Sequence, residues 1–223
     1  MSLLVWQPMP DVILKNLPFM LQGLMTSLQI SAIVAIGATL LGLAIAIILY
    51  SQVPLLTKVA RIYVEFIRGT PLLIVLFIAF FGLPALFGYH TTAYKATVVA
   101  FVLFMGAYLA EDIRGGLMTV KPSLTQAALA TGLTRGQALR FVVVPIAVRR
   151  IIPTLFNQYV RLFKFTSVAS VIGVSEFTGN AMLVNARVFQ PVPILVFVAL
   201  TYLVICLILS GVGRWLHARL AVS

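Results

Sequence analysis

Residues 21–50 read LQGLMTSLQISAIVAIGATLLGLAIAIILY, and no charged side chain interrupts them. About 20 apolar residues are enough to cross the hydrocarbon core of a bilayer, so this stretch predicts one long membrane-spanning helix. Two shorter spans would need a turn between them, but Gly37 and Gly42 lack the Pro or Asn neighbours that mark turns. The stretch therefore favours an all-α integral membrane protein.

The composition of the whole chain agrees with that interpretation. Of 223 residues, 61% are hydrophobic and only 9% are charged, whereas soluble domains have about a quarter charged residues. A formal net charge of +11 would suggest a nucleic acid partner in a soluble protein, but here we expect the lipid bilayer and no nucleic acid. A single cysteine, Cys206, and two distant histidines, His90 and His217, predict neither a disulfide nor a metal site.

Four more apolar stretches follow the first, which gives five predicted spans at 21–50, 62–83, 93–112, 151–174 and 192–212. Residues 1–20 are expected to be a retained leader, because they lack the positively charged start of a cleaved signal, and such a segment can lie at the membrane surface. Residues 21–223 are expected to form the membrane domain. A polar loop, residues 114–150, separates the third and fourth spans.

Lysine and arginine residues orient the spans. With the amino terminus outside, the inner segments carry ten of them and the outer segments carry three. Because these residues are retained on the cytoplasmic side, we expect the amino terminus outside and the loop 114–150 in the cytoplasm.

The cytoplasmic loop is predicted to contain two short helices. Ser123 would cap a helix over Leu124–Ala130, Gly132 would interrupt it, and Thr134 would cap a second helix that Pro145 ends. A polar loop of this length is expected to bind a partner or to fold on its own.

The same loop carries the motif Gln126-Ala127-Ala128, then Gly132, then Val142-Val143-Val144-Pro145. It resembles the signature of permease subunits of ATP-binding-cassette (ABC) importers, which is Glu-Ala-Ala, three residues, Gly, nine residues, Ile-x-Leu-Pro. Three further segments, EFIRGTPLL at 65–73, IRGGL at 113–117 and KFTSV at 164–168, are similar to the polar amino acid uptake branch of that family. The resemblance runs from about Leu24 to the end. Gln126 replaces the usual Glu, and Phe165 stands where an Asp often follows the lysine.

The resemblance implies a permease subunit that translocates a polar amino acid across the bacterial inner membrane. Its implied partners are two cytoplasmic ATPase subunits that bind ATP and Mg, a second permease subunit, identical or homologous, and an external substrate-binding protein. No Gly-x-x-x-x-Gly-Lys-Ser/Thr motif occurs in the chain, which favours a transport subunit without its own nucleotide site. The residues implied to couple to the ATPase are Gln126, Ala127, Ala128, Thr131, Gly132, Leu133 and Pro145.

Arg161 and Lys164 lie inside the fourth predicted span, three residues apart and so on one helix face. A charge there costs at least about 2.5 kcal/mol on insertion scales, so both should face the bundle interior or a wet cavity. We expect them to line the substrate path with Asn157 and Thr166, where they would attract the carboxylate of an amino acid. The alternative is that Lys164 or Arg161 pairs with Glu65, Glu111 or a backbone carbonyl across the dimer.

Two more polar groups lie at the inner ends of the second and third spans. The favoured interpretation is a structural scaffold of local ion pairs, and the alternative is an inner gate whose polar contacts change between states. The residues are Glu65, Arg68, Thr70 and Pro71 in the first group and Glu111, Asp112 and Arg114 in the second.

Two other classes of transporter or membrane protein remain open on sequence grounds. A secondary transporter would be expected to have inverted repeats and acidic residues near mid-membrane, and five spans without such acids argue against it. A scaffold subunit that uses the loop only for docking is the other alternative. An enzyme is least favoured, because no Ser–His–acid or paired-carboxylate arrangement occurs within reach.

Overall fold

The computed structural model describes residues 9–220, and that part of the chain is helical without any β-strand. Residues 1–8 of the predicted leader lie outside the described residues. The ten α-helices are α1 Met9–Ser51, α2 Pro54–Gly69, α3 Leu72–Phe77, α4 Leu83–Phe87, α5 Ala93–Met118, α6 Pro122–Ala130, α7 Arg135–Ala138, α8 Val144–Phe165, α9 Phe177–Val188 and α10 Pro191–Leu220. Two π-helical segments, Ile78–Gly82 and Leu139–Val143, and one 3₁₀ segment, Thr166–Ile172, join some of them.

Helix α1 has 43 residues and passes through the predicted boundary between leader and membrane domain without a break. Hydroxyl side chains make bonds within the helix: Ser31 and Thr39 each donate to the carbonyl four residues earlier. Such bonds satisfy polar groups that an apolar surrounding would otherwise leave without partners.

Helices α1 and α5 approach each other closely because glycines lie where they meet. A Cβ atom on Gly42 would meet the Leu109 Cβ at 2.8 Å, and one on Gly106 would meet the Leu41 Cδ2 at 2.8 Å. The largest buried cluster surrounds this contact and includes Ile30, Val34, Phe101, Phe104 and Met105. The α1–α5 pair is therefore the centre of the fold.

The predicted second span is divided in the structure. Helix α2 ends at Gly69, Thr70 is extended with ψ of 135°, and the axis turns by 109° before the helical stretch Leu72–Phe87. Pro71 is the physical reason, since a proline disfavours the helical conformation of the residue before it.

Within residues 9–220, three helical stretches have the length and apolar composition to cross a membrane: Asp11–Ser51, Ala93–Met118 and Pro191–Leu216. The bent pair α2 and α3–α4 passes the same test only when its two parts are counted together. Helix α8 has 22 residues but contains four cations, Arg149, Arg150, Arg161 and Lys164. It ends at Phe165, and most of the remaining predicted fourth span is the 3₁₀ segment Thr166–Ile172.

Candidate functional site

Helix α6 is the first helix of the polar loop, and most of its surface is exposed. Pro122 lies in its first turn, where the missing N–H removes no helical bond. Ser123 also lies inside that turn, so the prediction that it caps the helix is wrong. Ala128 is the buried residue of α6, whereas Leu124, Gln126, Ala127 and Leu129 are exposed.

Helix α6 ends in a Schellman motif at Gly132. The Gly132 N–H donates to the Leu129 carbonyl at 3.0 Å, and the Leu133 N–H donates to the Ala128 carbonyl at 3.3 Å. This pair of bonds needs a left-handed residue between the helix and the next segment, and Gly132 has a φ of +86°. The Thr131 hydroxyl also donates to the Ala128 carbonyl, at 2.8 Å. Thr131, Gly132 and Leu133 thus form a single turn with a fixed geometry.

A second helical stretch begins at Thr134, as the sequence predicts. The Thr134 hydroxyl accepts a bond from the Gln137 N–H, and the Gln137 side-chain oxygen accepts one from the Thr134 N–H, which is a capping box. From there the chain is helical through α7, the π-helical segment and α8 to Phe165. The prediction that Pro145 ends this helix is wrong. It lies in the first turn of α8, directly after the π-helical segment.

The base of the loop is fixed to the helices on either side. The Arg150 guanidinium donates to the Thr119 carbonyl at 2.8 Å, which joins α8 to the end of α5. A buried cluster of six apolar residues continues this contact to α1: Ala46, Ile113, Val120, Val143, Ala147 and Ile151. The exposed helix α6 is therefore carried by a packed base.

Three of the four predicted path residues share one exposed face of α8. Asn157, Arg161 and Lys164 are spaced i, i+4 and i+7, and all three are exposed. Thr166 lies beyond the end of α8, is fully buried, and donates its hydroxyl to the Phe163 carbonyl at 2.8 Å. The structure therefore brings Asn157, Arg161 and Lys164 to one surface and leaves Thr166 inside the protein.

Tyr108 of α5 joins this surface to α2. The Arg68 Cζ lies 5.3 Å from the centre of the Tyr108 ring, and the Arg161 Cζ lies 5.9 Å from the same centre. These distances are typical of cation–π contacts. Arg68, which the sequence assigned to a separate scaffold or gate, is therefore a neighbour of the predicted path residue Arg161.

A cavity of about 1110 Å³ opens between the end of α1, helix α2 and the end of α5. Glu65, Arg68, Glu111 and Arg114 of the predicted scaffold or gate line it, together with Lys58 and Arg61. The Glu111 carboxylate accepts two hydrogen bonds from the Arg114 guanidinium. This is the one ion pair found among the residues that the structure describes.

The other predicted scaffold residues lie at the edges of this region. The Asp112 carboxylate accepts a bond from the Gln158 amide at 2.6 Å, which links α5 to α8. Thr70 donates its hydroxyl to the Phe66 carbonyl, and Pro71 forms the bend described above. Glu65 and Arg68 make no ion pair within the described part of the chain, so the local Glu65–Arg68 pair of the scaffold interpretation is absent from this structure.

A second cavity, of about 560 Å³, lies between α8 and α10 and contains the Asn157 side chain. Its other polar lining residues are Ser210 and Arg214. Helix α10 comes close to α8 here, since a Cβ atom on Gly213 would meet the Phe156 Cβ at 2.9 Å. Asn157 thus belongs to the exposed face of α8 and also lines the cavity beside the carboxyl-terminal end of α10.

A buried carboxylate, which the sequence analysis did not single out, lies at the other end of the molecule. Glu176 is fully buried and caps α9, accepting bonds from the N–H groups of Thr178 at 3.0 Å and Gly179 at 2.7 Å. The Ser27 hydroxyl of α1 donates to it at 3.1 Å, and the Tyr202 hydroxyl of α10 donates at 3.3 Å. Glu176 therefore ties three helices together.

Comparison with known proteins places this architecture in a family. Residues 38–222 match a family described as "binding-protein-dependent transport system inner membrane component". The matched residues include the polar loop and the exposed face of α8. The chain belongs to this family of ABC importer permeases. The permease is 33% identical over 212 residues to the probable amino-acid ABC transporter permease protein PatM of Vibrio harveyi, with 94% of this chain and 95% of PatM covered.

Other relatives of the permease are named for different amino acids. The glutamine transport system permease protein GlnP of Escherichia coli is 33% identical, covering 92% of this chain and 94% of GlnP. The arginine transport system permease protein ArtQ of Bacillus subtilis is 31% identical, covering 93% and 94%.

Solved structures share the fold of the permease. A chain in the crystal structure of an amino acid ABC transporter with histidines superimposes with a TM-score of 0.91 at 30% identity, and 96% of this chain and all of that chain are covered. A chain of the inward-facing methionine transporter MetNI superimposes with a TM-score of 0.74 at 16% identity, covering 92% and 95%.

Proposed function

We propose that this permease pairs with a second permease subunit to form the membrane path of an amino acid importer in the bacterial inner membrane. The importer would be driven by ATP hydrolysis in two partner ATPases and supplied by an external binding protein. The proposal rests mainly on one observation. The exposed helix α6 is connected to the exposed charged face of α8 by the packed base of the loop and by one helical stretch. The amino acid relatives support the substrate class.

Helix α6 is the proposed contact with the ATPase. Its exposed face combines two small or polar residues, Gln126 and Ala127, with two larger apolar ones, Leu124 and Leu129. Such a face suits a groove in another protein, because an apolar surface on a loop outside the membrane gains stability when a partner covers it. ATP and Mg would be bound by that partner.

The helical stretch Arg135–Phe165 is the proposed connection between the ATPase contact and the path. A packed helix moves as a body, so displacement of the loop base would be passed on to Arg161 and Lys164, about five turns from the start of α8. The π-helical segment Leu139–Val143 is the irregular part of this connection, and such segments often occur at functional sites.

The exposed face of α8 is the proposed lining of the path. Arg161 and Lys164 would be costly against lipid, so we assign this face to a wet space shared with the second permease subunit. With α8 counted as the fourth span and the bent pair as the second, the permease has five spans, and its basic loop lies in the cytoplasm. Thr166 would hold the end of α8 through its bond to the Phe163 carbonyl.

The test is a reconstituted complex of the permease, its ATPase and its binding protein in liposomes, in which ATP hydrolysis is measured with each amino acid added. We expect one amino acid to stimulate hydrolysis and to accumulate inside. Ala127→Arg should prevent assembly with the ATPase, since a long charged side chain would occupy the exposed ridge of α6.

Ala186→Arg is the matched control, because Ala186 is also exposed but lies on α9, which packs at the other end of α1. Hydrolysis that no amino acid stimulates, in a complex that assembles normally, would favour the scaffold alternative over transport.

A further inference from the structure

Helix α2 has three different faces along its 16 residues. One face is buried against the protein and consists of Ala60, Val64 and Ile67. The next face is a polar stripe that lines the larger cavity: Lys58, Arg61, Glu65 and Arg68. The third face is an apolar stripe whose four side chains are 58–73% exposed: Leu55, Val59, Ile62 and Phe66. The polar stripe therefore lies between the protein and an exposed apolar surface.

The position of α2 is fixed by two side chains that donate to carbonyls of neighbouring helices. The Thr57 hydroxyl donates to the Ile48 carbonyl of α1 at 3.2 Å, and the Tyr63 hydroxyl donates to the Leu103 carbonyl of α5 at 2.6 Å. The cavity of about 1110 Å³ is thus bounded by packed helices. Pockets of about 300–1,000 Å³ hold small organic ligands, so this cavity has room for a ligand group of that size.

The lining of the cavity carries excess positive charge. It includes four cations and two acids: Lys58, Arg61, Arg68, Arg114, Glu65 and Glu111. Glu111 is bound to Arg114, whereas Lys58 and Arg61 make no ion pair within residues 9–220. Asp112 is hydrogen-bonded on the α8 side and does not line the cavity. Four cations against two acids leave two positive charges unbalanced, which favours a negatively charged ligand.

The cavity lies at the cytoplasmic end of the first span in the proposed orientation. Leu49 and Tyr50 at the end of α1 line it, together with Met118 at the end of α5, and α5 leads into the cytoplasmic loop. The cytoplasmic leaflet of a membrane carries anionic lipids that attract lysine and arginine side chains. A ligand with a negatively charged head and apolar chains would match both the polar stripe and the apolar stripe of α2.

We infer that this cavity binds the phosphate headgroup of an anionic phospholipid from the inner leaflet, with the acyl chains along the apolar stripe. The inference rests on the proposed membrane orientation. Lys58 and Arg61 are the assigned contacts, because Arg68 lies against the Tyr108 ring and Arg114 is already paired. A guanidinium binds phosphate oxygens through two parallel hydrogen bonds, and an ammonium binds them as a point charge. A soluble phosphate would leave the apolar stripe uncovered, whereas a phospholipid would cover it.

The experiment measures binding of fluorescent phosphatidylglycerol and phosphatidylcholine to the full-length permease in detergent, with and without its ATPase. We expect the wild type to prefer phosphatidylglycerol. One cation near an anionic lipid surface contributes about fivefold in affinity, so Lys58→Gln and Arg61→Gln should each weaken phosphatidylglycerol binding by about that factor. The double variant should weaken it by roughly 25-fold. Binding of phosphatidylcholine should be the same in all variants.

The double variant Lys121→Gln/Arg149→Gln is the matched control for charge. It also removes one lysine and one arginine, both exposed and both on the cytoplasmic side in the proposed orientation, but neither lines the cavity. It should leave the preference for phosphatidylglycerol unchanged. Ile62→Ser tests the apolar stripe without any change of charge, and it should weaken binding of phosphatidylglycerol.

Four outcomes would overturn the inference. Equal binding of the two lipids to the wild type would refute a negatively charged ligand, and equal losses in the two double variants would refute the cavity as the site. Displacement of phosphatidylglycerol by an equal concentration of glycerol 3-phosphate, with no effect of Ile62→Ser, would identify a soluble phosphate ester instead of a lipid. Binding that is lost when the ATPase is present would show that this partner covers the cavity.

These measurements are independent of transport. A permease that binds phosphatidylglycerol through Lys58 and Arg61, in a complex that imports no amino acid, would refute the proposed function and leave the lipid site standing. Import of an amino acid by a permease that does not distinguish the two lipids would do the reverse.

Discussion

Replacement of Gly132 by alanine should loosen the end of α6, and the effect can be worked out from one dihedral angle. Gly132 has a φ of +86°, and nothing lies within 4 Å of where its Cβ would be. The alanine side chain therefore fits in space, and the whole penalty comes from the left-handed backbone. That conformation costs an L-residue about 1–2 kcal/mol.

The assay is amide hydrogen exchange at the two bonds that the motif makes. The Gly132 and Leu133 N–H groups donate to the carbonyls of Leu129 and Ala128. A loss of 1–2 kcal/mol corresponds to roughly a 5- to 30-fold change in an equilibrium, so Gly132→Ala should speed exchange at these amides by about that factor. Stimulation of the ATPase should fall in parallel if α6 must be rigid to transmit movement.

Gly136→Ala is the matched control in the same loop. Gly136 also has open space around its Cβ position, but it lies inside α7, where alanine is more favourable than glycine by about 1 kcal/mol. It should leave exchange at residues 132 and 133 unchanged or slower. Equal exchange rates in the wild type and in Gly132→Ala would refute the view that the left-handed residue fixes this turn.

Three more predictions concern the stability of the purified permease, measured as the thermal unfolding midpoint in detergent. Glu176→Ala should lower the midpoint strongly, because each donor left buried without a partner costs about 1–3 kcal/mol. Glu176→Gln keeps one acceptor oxygen and should lower the midpoint less. Equal decreases of the midpoint in the two variants would contradict the capping role. Gly23→Ala should also lower the midpoint, since the Cβ would meet the Glu176 carbonyl oxygen at 2.7 Å. Gly69→Ala is the control and should not lower it, because nothing lies within 4 Å of its Cβ position. The same midpoint in both variants would argue against the tight α1–α9 contact. Tyr63→Phe should lower the free energy of unfolding by about 1 kcal/mol, because it removes the 2.6 Å hydrogen bond to the Leu103 carbonyl. An unchanged midpoint would show that this hydrogen bond does not stabilise the fold.

The features that sequence reasoning found depend on chemistry within a few residues. The capping box at Thr134 needs only a hydroxyl and a glutamine three residues later, and the turn at Gly132 needs only a glycine after a helix. The shared face of Arg161 and Lys164 follows from helical spacing. Each of these can be recognised in a single sequence because the partners are neighbours in the chain.

The features that were missed depend on contacts over a distance or on competition between local signals. Ser27, which donates to Glu176, lies 149 residues earlier in the chain, so nothing near Glu176 marks it as buried. The division of the second span had a local signal, because Thr70 precedes Pro71, but the apolar run outweighed it. Pro145 was expected to end a helix, yet it follows a π-helical segment and lies in the first turn of α8, where a proline is tolerated.

The length of α1 predicts that the permease is sensitive to the thickness of its bilayer. At 1.5 Å per residue its 43 residues extend for about 65 Å, which is about twice the hydrocarbon thickness of a typical membrane. Large apolar side chains are exposed along most of it, from Leu14 to Ile47. A helix of this length tilts, bends, thickens the lipid around it or extends beyond the hydrocarbon core. The rate of the transporter should change with the acyl chain length of its lipids, even though no residue of the loop or of the α8 face is altered.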